Sequence, residues 1–214
     1  MALTSGNIVV GAARVYLGPS GTSKPAMVAG TRYRTTLSTA DGSTSTGVGT
    51  LVTNWREVGF TTDGLEVATD PTFADVEVDQ SLDAPRVFKT GMSANVSTTM
   101  AEATLDNLLW AWGQASTTLS SVGAFEREMT IEAGQLGDAP LERGLIAIGT
   151  GPISQTAGVY GERVYHLYRA ISVEASTHSL SRTDPTGIPV TFRALPDDTT
   201  QRYGTVRDRT GVLT

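Results

Sequence analysis

Residues 73–113 read FADVEVDQSLDAPRVFKTGMSANVSTTMAEATLDNLLWAWG, two strand patterns followed by a helix pattern. In 73–79 the residues alternate strictly. Val76 and Val78 fall on one side, and Asp75, Glu77 and Asp79 on the other, as the two-residue repeat of a strand requires. Residues 91–98 alternate again, with Met92, Ala94 and Val96 opposite Ser93, Asn95 and Ser97. Then the period changes. Ala101, Leu105, Leu108, Leu109 and Trp112 recur at helical spacing. Thr99-x-x-Glu102 reads as a capping box in which the Thr hydroxyl accepts the third helical N–H and the Glu reaches back. Gly113 supplies a helix stop, and Trp110 lies outside the main stripe, where it widens the core face or, if exposed, suits a subunit contact.

Outward from this segment the chain reads as strand and turn. Strands are expected over residues 7–17, 31–37, 49–53, 125–131, 144–148, 163–174 and 188–194. Gly18-Pro19-Ser20-Gly21 and Thr183-Asp184-Pro185-Thr186-Gly187 are turn clusters. About eight strands with one helix predict a mainly β fold, a β-sandwich or barrel with a flanking helix. The 214 residues suit a single domain, 1–214. Residues 30–54 are a long Thr/Ser/Gly-rich loop, and 195–214 a polar C-terminal arm.

Charge is low, 18% Asp, Glu, Lys and Arg, so much of the surface is expected to be covered in the working state. The net charge of −6 disfavours nucleic-acid binding through a basic face. Residues 57–83 carry eight acids and no base, whereas residues 1–56 carry five bases and one acid. In an oligomer such polarity helps to set how copies dock. With no cysteine there is no thiolate nucleophile and no disulfide. No apolar run approaches a membrane span, and the first residues lack a basic segment followed by a long apolar run, so synthesis in a cytoplasm is expected.

No constellation of residues with usable chemistry stands out. His166 sits mid-strand between aromatic and aliphatic residues and reads as structural, and His178 is remote in sequence. Asp75-x-Glu77-x-Asp79 departs from a calcium loop, having no Gly at the sixth position and Arg86 at the twelfth. Ser176-Thr177-His178-Ser179 lacks the G-x-S-x-G elbow, and no G-x-x-x-x-G-K-[ST] loop is present. No catalytic residue, cofactor or metal is therefore assigned. A carbohydrate-binding or hydrolytic β-sandwich stays open as an alternative, although an aromatic content of 7% is low for such a site.

From Trp55 to Gly113 the chain resembles the middle of a major tail tube protein of long-tailed, non-contractile (siphovirus-type) bacteriophages. The resemblance lies in the order of short motifs: Val58–Gly64 (VGFTTDG), the acidic strand, Gln80-Ser81, a second strand, then Ala101–Leu105 (AEATL). Phe192–Asp197 (FRALPD) followed by Arg202-Tyr203-Gly204 is similar to the way these proteins close. The likeness implies a non-enzymatic virion protein with a tail tube fold, which forms hexameric rings stacked into a tube. DNA passes the lumen without specific binding. The implied partners are further copies of the chain, a tape measure protein and tail tip or terminator proteins, with no membrane. Residues 30–54 and 195–214 would bridge subunits or rings. Asp75, Glu77 and Asp79 would face the lumen, and Thr99, Glu102, Leu105, Leu108, Leu109 and Trp112 would cap and pack the helix. Another self-assembling tube, from a contractile tail or a secretion system, is the nearest alternative.

Overall fold

The computed structural model describes residues 13–21, 55–77, 79, 83–123, 125–152, 159–174, 176–178, 182 and 186–212. The strands expected over 31–37 and 49–53, the loop 30–54 and most of the 7–17 strand lie outside these residues.

The described residues form ten strands, one α-helix and one 3-10 turn. In chain order they are β1 (Arg14–Pro19), β2 (Arg56–Glu57), β3 (Thr61–Val76), β4 (Arg86–Met100), α1 (Leu105–Ala111), the 3-10 turn (Ser116–Thr118), β5 (Leu119–Gly123), β6 (Glu126–Met129), β7 (Arg143–Thr150), β8 (Val159–Ser172), β9 (Ile188–Leu195) and β10 (Gly204–Val212). The fold is mainly β, as expected. Eight strands make one antiparallel sheet in the order β2-β1-β7-β8-β9-β4-β3, with β10 also on β8, and β5–β6 form a separate two-stranded sheet. The long strand β8 serves two partners along one edge: β10 pairs with Val159–Leu167 and β9 with Arg169–Ser172.

The tail thus differs from the expected arm, because residues 204–212 are a sheet strand. The turn that brings it back is held by Asp197, whose carboxylate accepts the Thr200 N–H and hydroxyl at 2.9 Å. These bonds hold the Asp197 carboxyl below its ordinary pKa. Tyr168 N–H then donates to Tyr203 O at 3.0 Å, leading β10 onto β8.

The core has two parts, one on each side of the sheet. On one side, Val96 and Met100 of β4, Leu145 and Ala147 of β7, and Ile188, Val190 and Phe192 of β9 pack with Leu109, Trp110 and Ala111 of α1. Strict alternation in β9 puts Ile188, Val190, Phe192 and Ala194 inside and leaves Pro189 and Arg193 exposed. Burying a side chain such as Phe192 contributes roughly 1.5–3 kcal/mol. On the other side, Tyr16, Trp55, Ile146, Ile148 and Val164 form a second cluster. Strand β7, buried on both faces, is accordingly a near-continuous apolar run. The Trp55 ring presses on Gly18 and Gly144, where an added Cβ would come within 2.7 Å of ring carbons. His166 is buried beside this cluster, edge-on to Trp55 and Tyr168, a packing position that accords with its structural reading.

The helix begins later than the capping box predicts. Thr99 and Met100 belong to β4, where they pair with Thr62 and Thr61 on one side and with Pro189 and Ile188 on the other. A residue bonded into a ladder on both sides cannot also start a helix. The cap is Thr104, whose hydroxyl accepts the Asn107 N–H at 3.2 Å. Glu102 turns aside and accepts the Phe60 N–H at 2.9 Å. The buried Asn107 amide donates to Val58 O and Glu102 O, both at 2.8 Å, tying the helix start to the β2–β3 connection. Of the expected packing residues, Leu109 is buried, Leu108 and Trp112 pack partly buried against the core, and Leu105 is half-buried. Trp110 is also buried. Gly113 ends the helix with φ +63, a conformation that favours glycine.

Candidate assembly surfaces

Among the described residues, two stretches each gather several large apolar side chains that the subunit's own packing leaves exposed, apart from scattered ones such as Phe60 and Val206. The first is the outer half of the β3–β4 hairpin. Strand β4 pairs with β9 over Asn95–Met100; among the described residues its continuation to Arg86 has β3 as its one strand partner, and the Tyr203 hydroxyl donates to Met92 O at 2.5 Å. Nine residue steps at strand rise carry this ribbon about 30 Å beyond the last β9 pair. Phe73 is 58% exposed and Val87 56%, values that rule out a core role within the subunit.

Register decides which face each side chain takes. Leu65, Val67, Thr69 and Pro71 lie opposite Thr98, Val96, Ala94 and Met92, on the side that faces the core lower down. A register shift between Thr72 and Phe73 leaves Thr90 as an extra residue in β4. Beyond it Phe73 lies opposite Lys89 and Asp75 opposite Val87. One face of the ribbon therefore carries Pro71, Phe73, Val87 and Met92, with Lys89 among them. The Lys89 ammonium approaches Met92 Sδ at 3.0 Å. The other face carries Glu66 and Asp70 beside Ser93, Asn95, Ser97 and Thr99, a polar stretch, and toward the tip Val76, Arg86 and Phe88, with Phe88 half exposed.

The expected carboxylate ladder is thus not regular. Asp75 is in β3, but the strand ends at Val76, so Glu77 follows it outside the strand and Asp79 lies in the turn. All three are exposed. Within β3 the acids divide between faces, with Glu66 and Asp70 on the polar side and Asp75 on the side shared with Phe73. The alternation of 73–79 is right for parity, but parity alone does not say where a strand stops.

The second bare part is the strap formed by β5, β6 and residues 130–141. Its root is firmly held. Thr130 N–H donates to Thr118 O at 2.9 Å, and Gln114 exchanges two hydrogen bonds of 3.2 Å with the Glu132 backbone. Arg143, partly buried, donates to Gln114 O at 3.0 Å, and burial lowers its pKa to about 10. Arg127 forks onto Asp106 at 3.0 and 3.4 Å, and Arg56 pairs with the same carboxylate. Burial raises the Asp106 pKa, but the two guanidiniums outweigh it and hold the carboxyl below its ordinary value. This clamp joins β2, α1 and β6. Past the root the strap is bare: Phe125 and Leu136 are fully exposed, at 101% and 108%.

A model of the phage tail tube protein family matches residues 1–209. The chain belongs to that family. It is a structural protein of the virion tail, which self-assembles with other tail components into a tube. No curated protein matches the chain. No helix among the described residues is long and apolar enough to cross a membrane. A tail tube subunit must present surface to its neighbours. Sequence reading placed β6 within the strand expected over 125–131, but missed β5 and the bare face of the strap, because Val122, Phe125, Ile131 and Leu136 follow no single period. It also missed β10, although Thr205, Val206 and Thr210 are β-branched residues of strand type.

Proposed function

We propose that the chain is the major tail tube subunit of a long-tailed, non-contractile phage, made in the host cytoplasm and built into homohexameric rings that stack round a DNA-conducting lumen. The observation that supports the tail tube part of this reading is the family match over residues 1–209; the non-contractile type and the ring stoichiometry rest on the resemblance of residues 55–113 to tail tube proteins of that kind. Among the described residues β3 and β10 are edge strands, which suits it, since a neighbour's strands would cover their ladder groups. In this reading residues 1–214 act as one domain. Residues 30–54 and the 195–214 segment bridge subunits or rings, the latter by offering β10 as an edge. The tape measure protein occupies the lumen before ejection, and tip and terminator proteins close the ends.

The polar stretch of the β3–β4 hairpin, with Glu66 and Asp70 on it, is the lumen side; Glu77 and Asp79 reach the lumen from past the end of β3, and Asp75, on the face shared with Phe73, does so from the edge of the tip. A ring of carboxylates repels the phosphate backbone and lets DNA slide without sticking. Electron microscopy of the purified protein tests the assembly: rings or tubes are expected, and strict monomers at high concentration would sink it. Changing Asp75, Glu77 and Asp79 together to Lys should leave tubes that form but eject DNA poorly. Unchanged infectivity would count against the lumen position.

A further inference from the structure

We infer that the apolar face of the β3–β4 hairpin in one copy docks on the strap of the next copy, a head-to-tail contact that propagates along the tube. The inference rests on the tail tube reading and adds the two surfaces that meet.

Each surface is bare in the isolated subunit and needs a partner. The hairpin presents Pro71, Phe73, Val87 and Met92 on one face. The strap presents Val122, Phe125, Ile131 and Leu136. A two-stranded sheet is marginal by itself, and β5–β6 is held at its root by Leu119 and Met129 against the core and by the Asp106 clamp. It is a preorganised arm, so docking orders little that is not already ordered.

The two surfaces lie apart within one subunit. The strap is rooted at the helix, which packs against β9, whereas the hairpin face lies on the ribbon that runs about 30 Å past the β9 pairing. Complementary patches at separate places on one molecule make a heterologous contact, and such contacts repeat from copy to copy. Charge favours the same pairing. Lys89 stands within the apolar hairpin face, opposite Phe73, while Asp75 lies nearer the tip on the same face, opposite Val87. On the strap, Glu128 lies opposite Ser120, on the face turned away from the Arg127–Asp106 clamp, and Glu126 is exposed beside it. A second copy therefore supplies both an apolar seat and an opposite charge.

The chain has no cysteine, so introduced ones report without background. A chain carrying F73C and L136C, oxidised under assembly conditions, is expected to give a ladder of dimers, trimers and higher covalent multimers. F73C alone and L136C alone should stop at trace dimers, while their mixture should give heterodimers. F125E should fold normally by circular dichroism, because Phe125 touches little in the subunit. It should weaken association roughly tenfold or more, as loss of a buried aromatic anchor does. K89E should weaken it too, and K89R should restore it. A wild-type chain that assembles while the double-cysteine chain yields no ladder overturns the docking inference and leaves the tail tube reading standing. A fast-migrating monomer with an internal disulfide also overturns it, by placing both surfaces in contact within one copy. A wild type that never leaves the monomer overturns both.

Discussion

At the residue scale the carboxylate that ties most elements together among the described residues is Asp106. It receives Arg56 and Arg127 and sits in the first turn of α1, where a negative charge also suits the helix dipole. Because its folded pKa lies below the ordinary 3.8, its stabilisation is present above that value and is lost as pH falls through the lower folded value. Asp106→Asn should destabilise by about 2 kcal/mol at pH 7, the range of hydrogen bonds to charged groups. The gap between variant and wild type should close in denaturant melts as pH drops below 3.8. A gap that stays constant down to strongly acid pH would show that the clamp acts through packing rather than charge.

At the element scale the helix start shows how a motif is overruled. Two Thr residues compete for the cap, Thr99 and Thr104, and each has a polar residue three positions on. Thr99 loses because strands β3 and β9 already hold its backbone. Thr104→Ala should therefore cost about 1 kcal/mol, the usual loss of a cap hydroxyl. Thr99→Ala should cost clearly less. Thermal melts of the two variants distinguish the assignments, and a larger loss at Thr99 would restore the capping-box reading.

At the scale of the whole molecule, stability and assembly reside in different parts. The two clusters that flank the sheet hold the subunit together, while the outer hairpin and the strap tip contribute little to either. Replacing residues 72–91 by an Asn-Gly turn between Pro71 and Met92 removes mostly exposed residues. The melting temperature should change by only a few degrees, as expected for surface changes. Tube formation should vanish in sedimentation and electron microscopy. Tubes of normal length from the shortened chain would mean that the hairpin is dispensable for assembly.

Much of the architecture was legible from short-range patterns. Strand alternation in β4 and β9, the apolar run of β7 and the apolar stripe of α1 are local consequences of backbone geometry, so the residues by themselves determined a mainly β fold with one helix. The motif order that pointed to a tail tube protein was likewise in the residues, and the family match bears it out. Other features depended on partners distant in the chain. The end of β3 at Val76, the register shift near Thr90, the cap at Thr104 and the return of β10 onto β8 were decided by hydrogen bonds across strands. Local periodicity carries no record of such bonds. The same holds for the bare faces, because exposure depends on what else reaches a side chain. Phe73 and Phe192 are alike in sequence, yet one is open to solvent and the other is buried between sheet and helix.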